Sequence, residues 1–388
     1  MSDSTPWQPP AGPSQPAAPA PFSGSAPTPT PGPQAGWTPP PKPGLIPLRP
    51  LTLGTILGAS FQVLRRNPRP TFGLSLLVSG ATYILGLGVV AVVGFLAFSR
   101  VASATGADAD AIAAGAGGLT LVSALIPVAL AIIGTALLQG IVALEVARGT
   151  LGEKLTLRGL FAGAKGRIGA LIGWTLLLTG AIILSIAIVA GLIALIAVVG
   201  GAAGAVIGVL LGILLGLGLV VLYAWLSTKL AMVPSVLMLE RVTLRQAIAR
   251  SWSLTNGSFW KTLGILLLVA VILQTAASIV SAPFSFVFGI GGVLINPTGD
   301  EGALIATFIV TYVLLLLLSV VFGALAAVVQ SATPALLYID LRMRKEGLDL
   351  ELNRFVEARQ AGDTSVTDPY LVRAGGATAA PAPGAPWS

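Results

Sequence analysis

The chain has 388 residues, 55% of them hydrophobic and only 10% charged, and its mean hydropathy is +0.90. This composition excludes an ordinary soluble domain. The complete lack of Cys and His removes disulfides, thiolate metal sites, a cysteine nucleophile and the commonest general base. The net charge of +7 reads as membrane rather than nucleic acid, because the basic residues cluster beside long uncharged stretches.

Residues 1–47 form a low-complexity leader with sixteen prolines and no apolar run to build a core. It has neither the basic start nor the apolar centre of a signal peptide. It is expected to be a disordered cytoplasmic tail. Its composition reads as a tether, and Trp7 and Trp37, in PWQPP and GWTPP, leave open a docking role toward a protein partner.

Five stretches then carry no Asp, Glu, Lys or Arg: 71–99, 111–144, 168–228, 262–299 and 302–339. A bilayer-crossing helix needs about 20 mostly apolar residues. As one straight helix, 168–228 would be about 90 Å long, against a hydrocarbon core of about 30 Å. That stretch must cross twice, with GGAAGA at 200–205 as the turn. The expected fold is therefore all-α, a polytopic bundle with spans at about 71–99, 119–147, 168–198, 203–239, 261–289 and 303–338. Pro234 is expected to kink the fourth span, and Pro283 and Pro334 stand near the ends of the last two.

Every Lys and Arg except Arg100 lies before the first span, between the second and third, after the sixth, or between the fourth and fifth together with their adjoining ends, which hold Lys229 and Lys261. The positive-inside rule puts those segments and both termini in the cytoplasm of a bacterial plasma membrane, facing anionic headgroups. Trp174, Trp225, Trp252 and Trp260 fall near the cytoplasmic span ends, where indoles favour the interface.

Each cytoplasmic segment repeats a phrase: LTLGTILGASFQVL at 51–64, LTLRGLFAGAKGRIGAL at 155–171 and VTLRQAIARSWSL at 242–254. Thr52, Thr156 and Thr243 are predicted helix N-caps, and Gln246 stands at capping-box spacing from Thr243. Leu53, Ile56, Leu57, Phe61 and Leu64 share one face of the first segment; Leu244, Ala247, Ile248 and Trp252 share one face of the third. These read as short interfacial amphipathic helices. Gln139 precedes Glu145, Pro234 precedes Glu240, and Pro334 precedes Asp340, each pair at the same spacing. The unit is thus an interfacial helix, a span out, a span back and an acid, giving three hairpins over about 51–150, 155–241 and 242–345.

Candidate functional residues are few. Gly200, Gly204, Gly208, Gly212 and Gly216 make an every-fourth-residue ladder suited to close helix packing, within the bundle or between copies. Gln139, Glu145, Lys229, Gln274 and Gln330 are the polar intramembrane candidates. Glu145 is expected to pair with Arg148 or Lys229, and Glu240 with Arg241 or Lys229. No catalytic residue, cofactor site or metal site is expected. GLDLELNRFVEARQ reads as a cytoplasmic amphipathic helix within 346–360, and 361–388 as a disordered tail.

PSVLMLERVTLRQAIARSWSLTNGSFWKTLGILLL at 234–268, with PLRPLTLGTILGASFQVLRRNPRPTF at 47–72 and LLYIDLRMRKEGLDLEL at 336–352, resembles actinobacterial multi-pass proteins of the glycerophosphoryl diester phosphodiesterase membrane-domain family. The resemblance covers roughly 47–355. It implies a six-span module with three cytoplasmic amphipathic segments. It does not imply the enzyme, whose chemistry in that family sits in a separate barrel using His and acidic metal ligands. The expected role is a non-enzymatic module that organises partners or lipids. The alternative is a transporter component for an uncharged or lipid-like solute.

Overall fold

The computed structural model describes residues 44–103, 108–295, 301–363 and 365–371. The Pro-rich leader up to 43, with Trp7 and Trp37, and the tail from 372 lie outside the described residues. The chain forms α1 (Leu53–Arg66), a π turn (Arg69–Gly73), α2 (Leu74–Ser103), α3 (Ala109–Ser123), α4 (Leu125–Thr150) and α5 (Leu157–Ala164). It continues with α6 (Ile168–Leu230), α7 (Val233–Leu239), α8 (Leu244–Thr255), α9 (Phe259–Ile295), α10 (Glu301–Glu346) and α11 (Leu348–Gln360). Among the described residues there is no strand.

The three repeated phrases start helices as their threonines predict. The Thr52 hydroxyl accepts from the Thr55 amide at 3.3 Å, and the Thr156 hydroxyl from the Gly159 amide at 3.3 Å. Thr243 forms a full capping box, its own amide donating to Gln246 Oε1 at 3.1 Å. Each cap satisfies amides that a helix start would otherwise leave unpaired.

The buried faces are rotated from the expected ones. In α1 the buried stripe is Ile56, Ala59, Ser60 and Val63, while Leu53 is 47% exposed. In α8 it is Ala247, Ser251, Leu254 and Thr255. Small hydroxyl residues turn inward because they find partners there: Thr333 donates to Ser60 at 3.1 Å, and Ser251 donates to the Lys229 carbonyl at 2.7 Å. A buried hydroxyl with a partner costs little, and its small volume lets the helices approach closely. Leu57, Phe61 and Leu64 flank the stripe, against Val269, Leu273 and Val329.

Among the described residues, five helical stretches are long and apolar enough to cross a membrane: Arg69–Ser103, Ala109–Thr150, Ile168–Leu239, Phe259–Phe284 and Ile309–Glu346. The third holds a reversal. Gly201 has φ 54° and ψ −138°, a conformation open to glycine, and α6 turns back on itself there. A Cβ on Gly208 would stand 3.3 Å from the Ile193 carbonyl oxygen and one on Gly212 2.6 Å from Ile193 Cδ1; one on Gly204 would overlap the Ile196 carbonyl. Both halves of the hairpin are largely exposed along their apolar length. Pro234 stands in the first turn of α7, and the interruption expected there falls at Ala231 and Met232, which keep right-handed helical dihedrals between α6 and α7. Pro283 and Pro334 sit inside α9 and α10.

The core lies at one end of the bundle, where the charged segments are. Three segments supply it: Ile141–Ala147 of α4, Met232–Leu239 around α7, and Ala332–Met343 of α10. Helices α1, α5 and α8 pack around these, with Leu160 and Ala164 of α5 fully buried. Leu45 and Ile46, in the stretch expected to be tail, are buried too, and the Leu45 amide donates to the Gly149 carbonyl at 2.8 Å.

The reversal is testable in a chain with no natural cysteine. In a straight helix, residues 193 and 208 would be about 22 Å apart. We expect Ile193→Cys with Gly208→Cys to cross-link under mild oxidation, read as a mobility shift after cleavage of the intervening loop. Ile193→Cys with Leu222→Cys should not cross-link.

Candidate functional site

The three acids closing the returning helices are all buried, Glu145 at 2%, Glu240 at 5% and Asp340 at 0% exposure. Isolated carboxylates at such depth would be costly, so their partners govern the site.

Asp340 is fully enclosed. It accepts from the Leu51 amide at 2.7 Å, from Lys261 Nζ at 2.6 Å and from Arg344 Nε at 2.9 Å. Glu240 takes both its oxygens to Arg250 Nε, at 3.2 and 3.1 Å, and accepts from the Tyr338 hydroxyl at 2.8 Å. Arg342 donates to Tyr338 at 2.9 Å and to Glu346 at 2.9 Å, and Arg250 also reaches Glu346 at 2.7 Å. Burial works against the charge on Arg250, but Glu240 and Glu346 outweigh it and hold the guanidinium above its ordinary range.

Glu145 is different. Asn67 Nδ2 donates to Oε1 at 3.2 Å, while Oε2 is buried with no hydrogen-bond partner. The expected partners are elsewhere. Arg148 goes to Asp368 at 2.5 Å and Glu153 at 3.7 Å, because residues 365–371 fold back under the bundle and present Asp368 to it. Lys229 Nζ donates to Asn256 Oδ1 at 2.7 Å and stands over the Trp252 ring at 5.3 Å. Arg241 does not pair with Glu240: Arg250 and Arg342 supply that carboxylate instead. Arg66, at the end of α1, feels Glu145, but burial dominates and lowers its pKa from the ordinary value.

The backbone around the capping threonines is tied in the same way three times. The carbonyl just before Thr52, that of Leu51, accepts from Arg344 Nη2 at 2.8 Å. The one before Thr156, that of Leu155, accepts from Asn67 Nδ2 at 2.9 Å. The one before Thr243, that of Val242, accepts from Arg167 Nη1 at 3.0 Å. The donors run head to tail: the first segment clamps the second, the second clamps the third, and the end of α10 clamps the first.

A short strap closes the base. Tyr370, in the stretch expected to be disordered, is buried at 2% exposure, with its hydroxyl bonded to Thr150 and to the Ala147 carbonyl. Arg342 donates to the Tyr370 carbonyl at 3.2 Å. The buried face of α11 is Leu348, Leu352 and Phe355, and the first two belong to the core of the chain itself. Reading the sequence missed Arg250, Tyr338, Arg342, Asp368 and Tyr370. Asn67 and Asn256, each just past a repeated helix, were the available signal.

The other candidates do not converge. Gly204, Gly208 and Gly212 face the other half of their own hairpin, whereas Gly200 and Gly216 have nothing within reach of an added Cβ. Gln274 and Gln330 are exposed on the outside of the bundle. Gln139 is half-buried and its Oε1 lacks a partner. Of the tryptophans, Trp174 is buried, Trp225 meets Trp252 edge-on at 5.2 Å, and Trp260 is 81% exposed. Among the described residues no group of acids is placed to hold a metal ion.

No family model, curated protein or solved structure matches this chain.

Two outcomes follow from these contacts. Arg250→Ala leaves Glu240 buried beside only Tyr338 and a distant Arg342, and should destabilise the protein by about 3 kcal/mol, read by thermal or chemical unfolding in detergent. Tyr370→Phe should cost about 1 kcal/mol and make the strap more open to protease. Burial pushes the Tyr370 phenol above its ordinary value, so the strap's contribution is complete below pH about 10 and falls as pH rises beyond it, where the undocked phenol ionises first. Limited proteolysis across that range checks the sign.

Proposed function

We propose that this chain is a six-span module of a bacterial plasma membrane, built from three helical hairpins with its charged base in the cytoplasm, and that it organises lipids or protein partners without catalysing a reaction. What supports six crossings is the reversal at Gly201, which divides the third apolar stretch into two arms. What supports the three hairpins is the recurrence of one arrangement: a threonine-capped helix, a carbonyl clamp before the cap, and a buried acid at the end of the returning helix.

The observation that carries the role is where polarity sits. The buried charges are gathered at the base: Glu240, Asp340 and Arg342 are engaged in ion pairs, Lys229 is held by Asn256, and Glu145 by Asn67. The mid-depth glutamines of α9 and α10 face outward rather than lining a common path. A protein whose ionic groups lock its base together, and whose long apolar arms meet lipid, is suited to scaffolding. This reading agrees with the resemblance to glycerophosphoryl diester phosphodiesterase membrane domains, taken as the membrane module alone.

Topology is checked with single cysteines in intact cells. Ser103→Cys and Val198→Cys should react with an impermeant maleimide from outside; Arg158→Cys, Arg245→Cys and Glu351→Cys should react only after permeabilisation. Finding Arg158→Cys and Arg245→Cys on opposite faces ends the six-span reading. For the role, vesicles holding the purified chain should pass glycerol no faster than empty vesicles. Accelerated flux would replace the scaffold by a transporter.

A further inference from the structure

We propose that the turn between α5 and α6 and the start of α8 together form a binding site for the headgroup of an anionic phospholipid, read by Lys165, Arg241 and Arg245 beside the Trp225–Trp252 pair. The inference rests on the membrane reading above and adds to it a ligand and a place.

Arg167 makes the site. Its two guanidinium nitrogens reach the Val242 carbonyl at 3.0 Å and the Arg241 carbonyl, pinning the α5–α6 turn against the α7–α8 turn. That brings Lys165 and Arg241 into one neighbourhood, with Arg245 in the first turn of α8. All three side chains are exposed, and none forms an ion pair with the acids of the described residues. The neighbouring acid, Glu240, turns inward and is engaged by Arg250 and Tyr338, so it does not neutralise them.

Arg241 is also strained. Its φ of 55° is the one positive value found for a non-glycine among the described residues. Such a conformation strains a bulky residue and persists only where the surrounding structure holds it. A glycine would relieve it, yet the chain keeps a cation there.

The apolar half of the site is adjacent. Trp252 lies two helical turns beyond Arg245, on the same stripe of α8. Its ring meets that of Trp225 at 87°, and Trp225 is 41% exposed at the base of the α6 hairpin. Indoles prefer the headgroup level, and guanidinium groups bind phosphate oxygens in pairs. Three unneutralised cations beside an indole pair, at the foot of a lipid-exposed hairpin, match a phosphate under an acyl chain. A soluble anion would use only half of this.

The full chain, purified in mild detergent, is titrated with dioctanoyl phosphatidylglycerol, dioctanoyl phosphatidylcholine and inorganic phosphate, binding being read as the midpoint of a thermal-shift curve. Phosphatidylglycerol should bind, and each of Lys165→Gln and Arg245→Gln should weaken it about fivefold, the equivalent of about 1 kcal/mol per cation. Arg241→Gly should weaken it similarly while leaving the lipid-free melting temperature unchanged or higher, since glycine accepts that φ. This opposite movement separates a binding role from a structural one. Equal binding of phosphatidylcholine would overturn the proposal, as would phosphate competing as well as the lipid, or an unaltered midpoint in Arg241→Gly and Arg245→Gln. A site that fails here while the cysteine topology holds would leave the scaffold reading standing.

Discussion

Everything at the base of this protein follows from three carboxylates placed where water is scarce. A buried carboxylate is stabilised by hydrogen bonds and an opposite charge, and the fold supplies both to Asp340 and Glu240. Asp340 draws in Leu51, Lys261 and Arg344, which bind the stretch before α1 and the start of α9 to the end of α10. Glu240 draws in Arg250, Tyr338 and, through them, Arg342 and Glu346. Without these pairs the returning helices would have no reason to meet at a common depth, because apolar side chains gain little by exchanging lipid for one another. The polar groups fix the register, and the apolar core around Val236, Leu337 and Ile141 fills the space they define.

The arms are built on the opposite principle. Along α6 the apolar surface is mostly uncovered, with Val198 82% and Val221 70% exposed. Such surface is a liability in water and ordinary in hydrocarbon. What shapes the arm is steric: small residues at 204, 208 and 212 let the two halves close on Ile193 and Ile196. The ladder of glycines is therefore spent inside its own hairpin over its central part, which explains its regular spacing without a second copy.

Much of this was legible in advance, for identifiable reasons. Uncharged stretches announce long helices because a charge in hydrocarbon is expensive. Thr52, Thr156 and Thr243 announce helix starts because a cap is a local device. The reversal inside 168–228 followed from the length of the stretch and from GGAAGA at its middle. The partners of the acids were not legible, because they are set by packing between segments far apart in the chain: Leu51 and Asp340 are separated by 289 positions. Nearest-neighbour reasoning offered Arg148 to Glu145 and Arg241 to Glu240, and tertiary structure used both arginines otherwise. The inward rotation of α1 and α8 was missed for a related reason. Ser60 and Ser251 look like solvent residues until a helix supplies their partners.

The difference between Glu145 and the other two acids has a single source. Arg148 is one helical turn from Glu145, near enough to serve it as Arg344 serves Asp340. It is instead turned toward Asp368, and the same few residues carry Tyr370 into the socket formed by Ala147, Thr150 and Arg342. The end of the chain thus takes the cation that the first acid would otherwise hold, and Glu145 keeps only an amide, with Arg66 nearby. The cyclic pattern of clamps is complete in the backbone and broken in the ion pairs at one place. That place is where the strap docks, so the asymmetry belongs to the attachment of the strap and not to any weakness in the repeat.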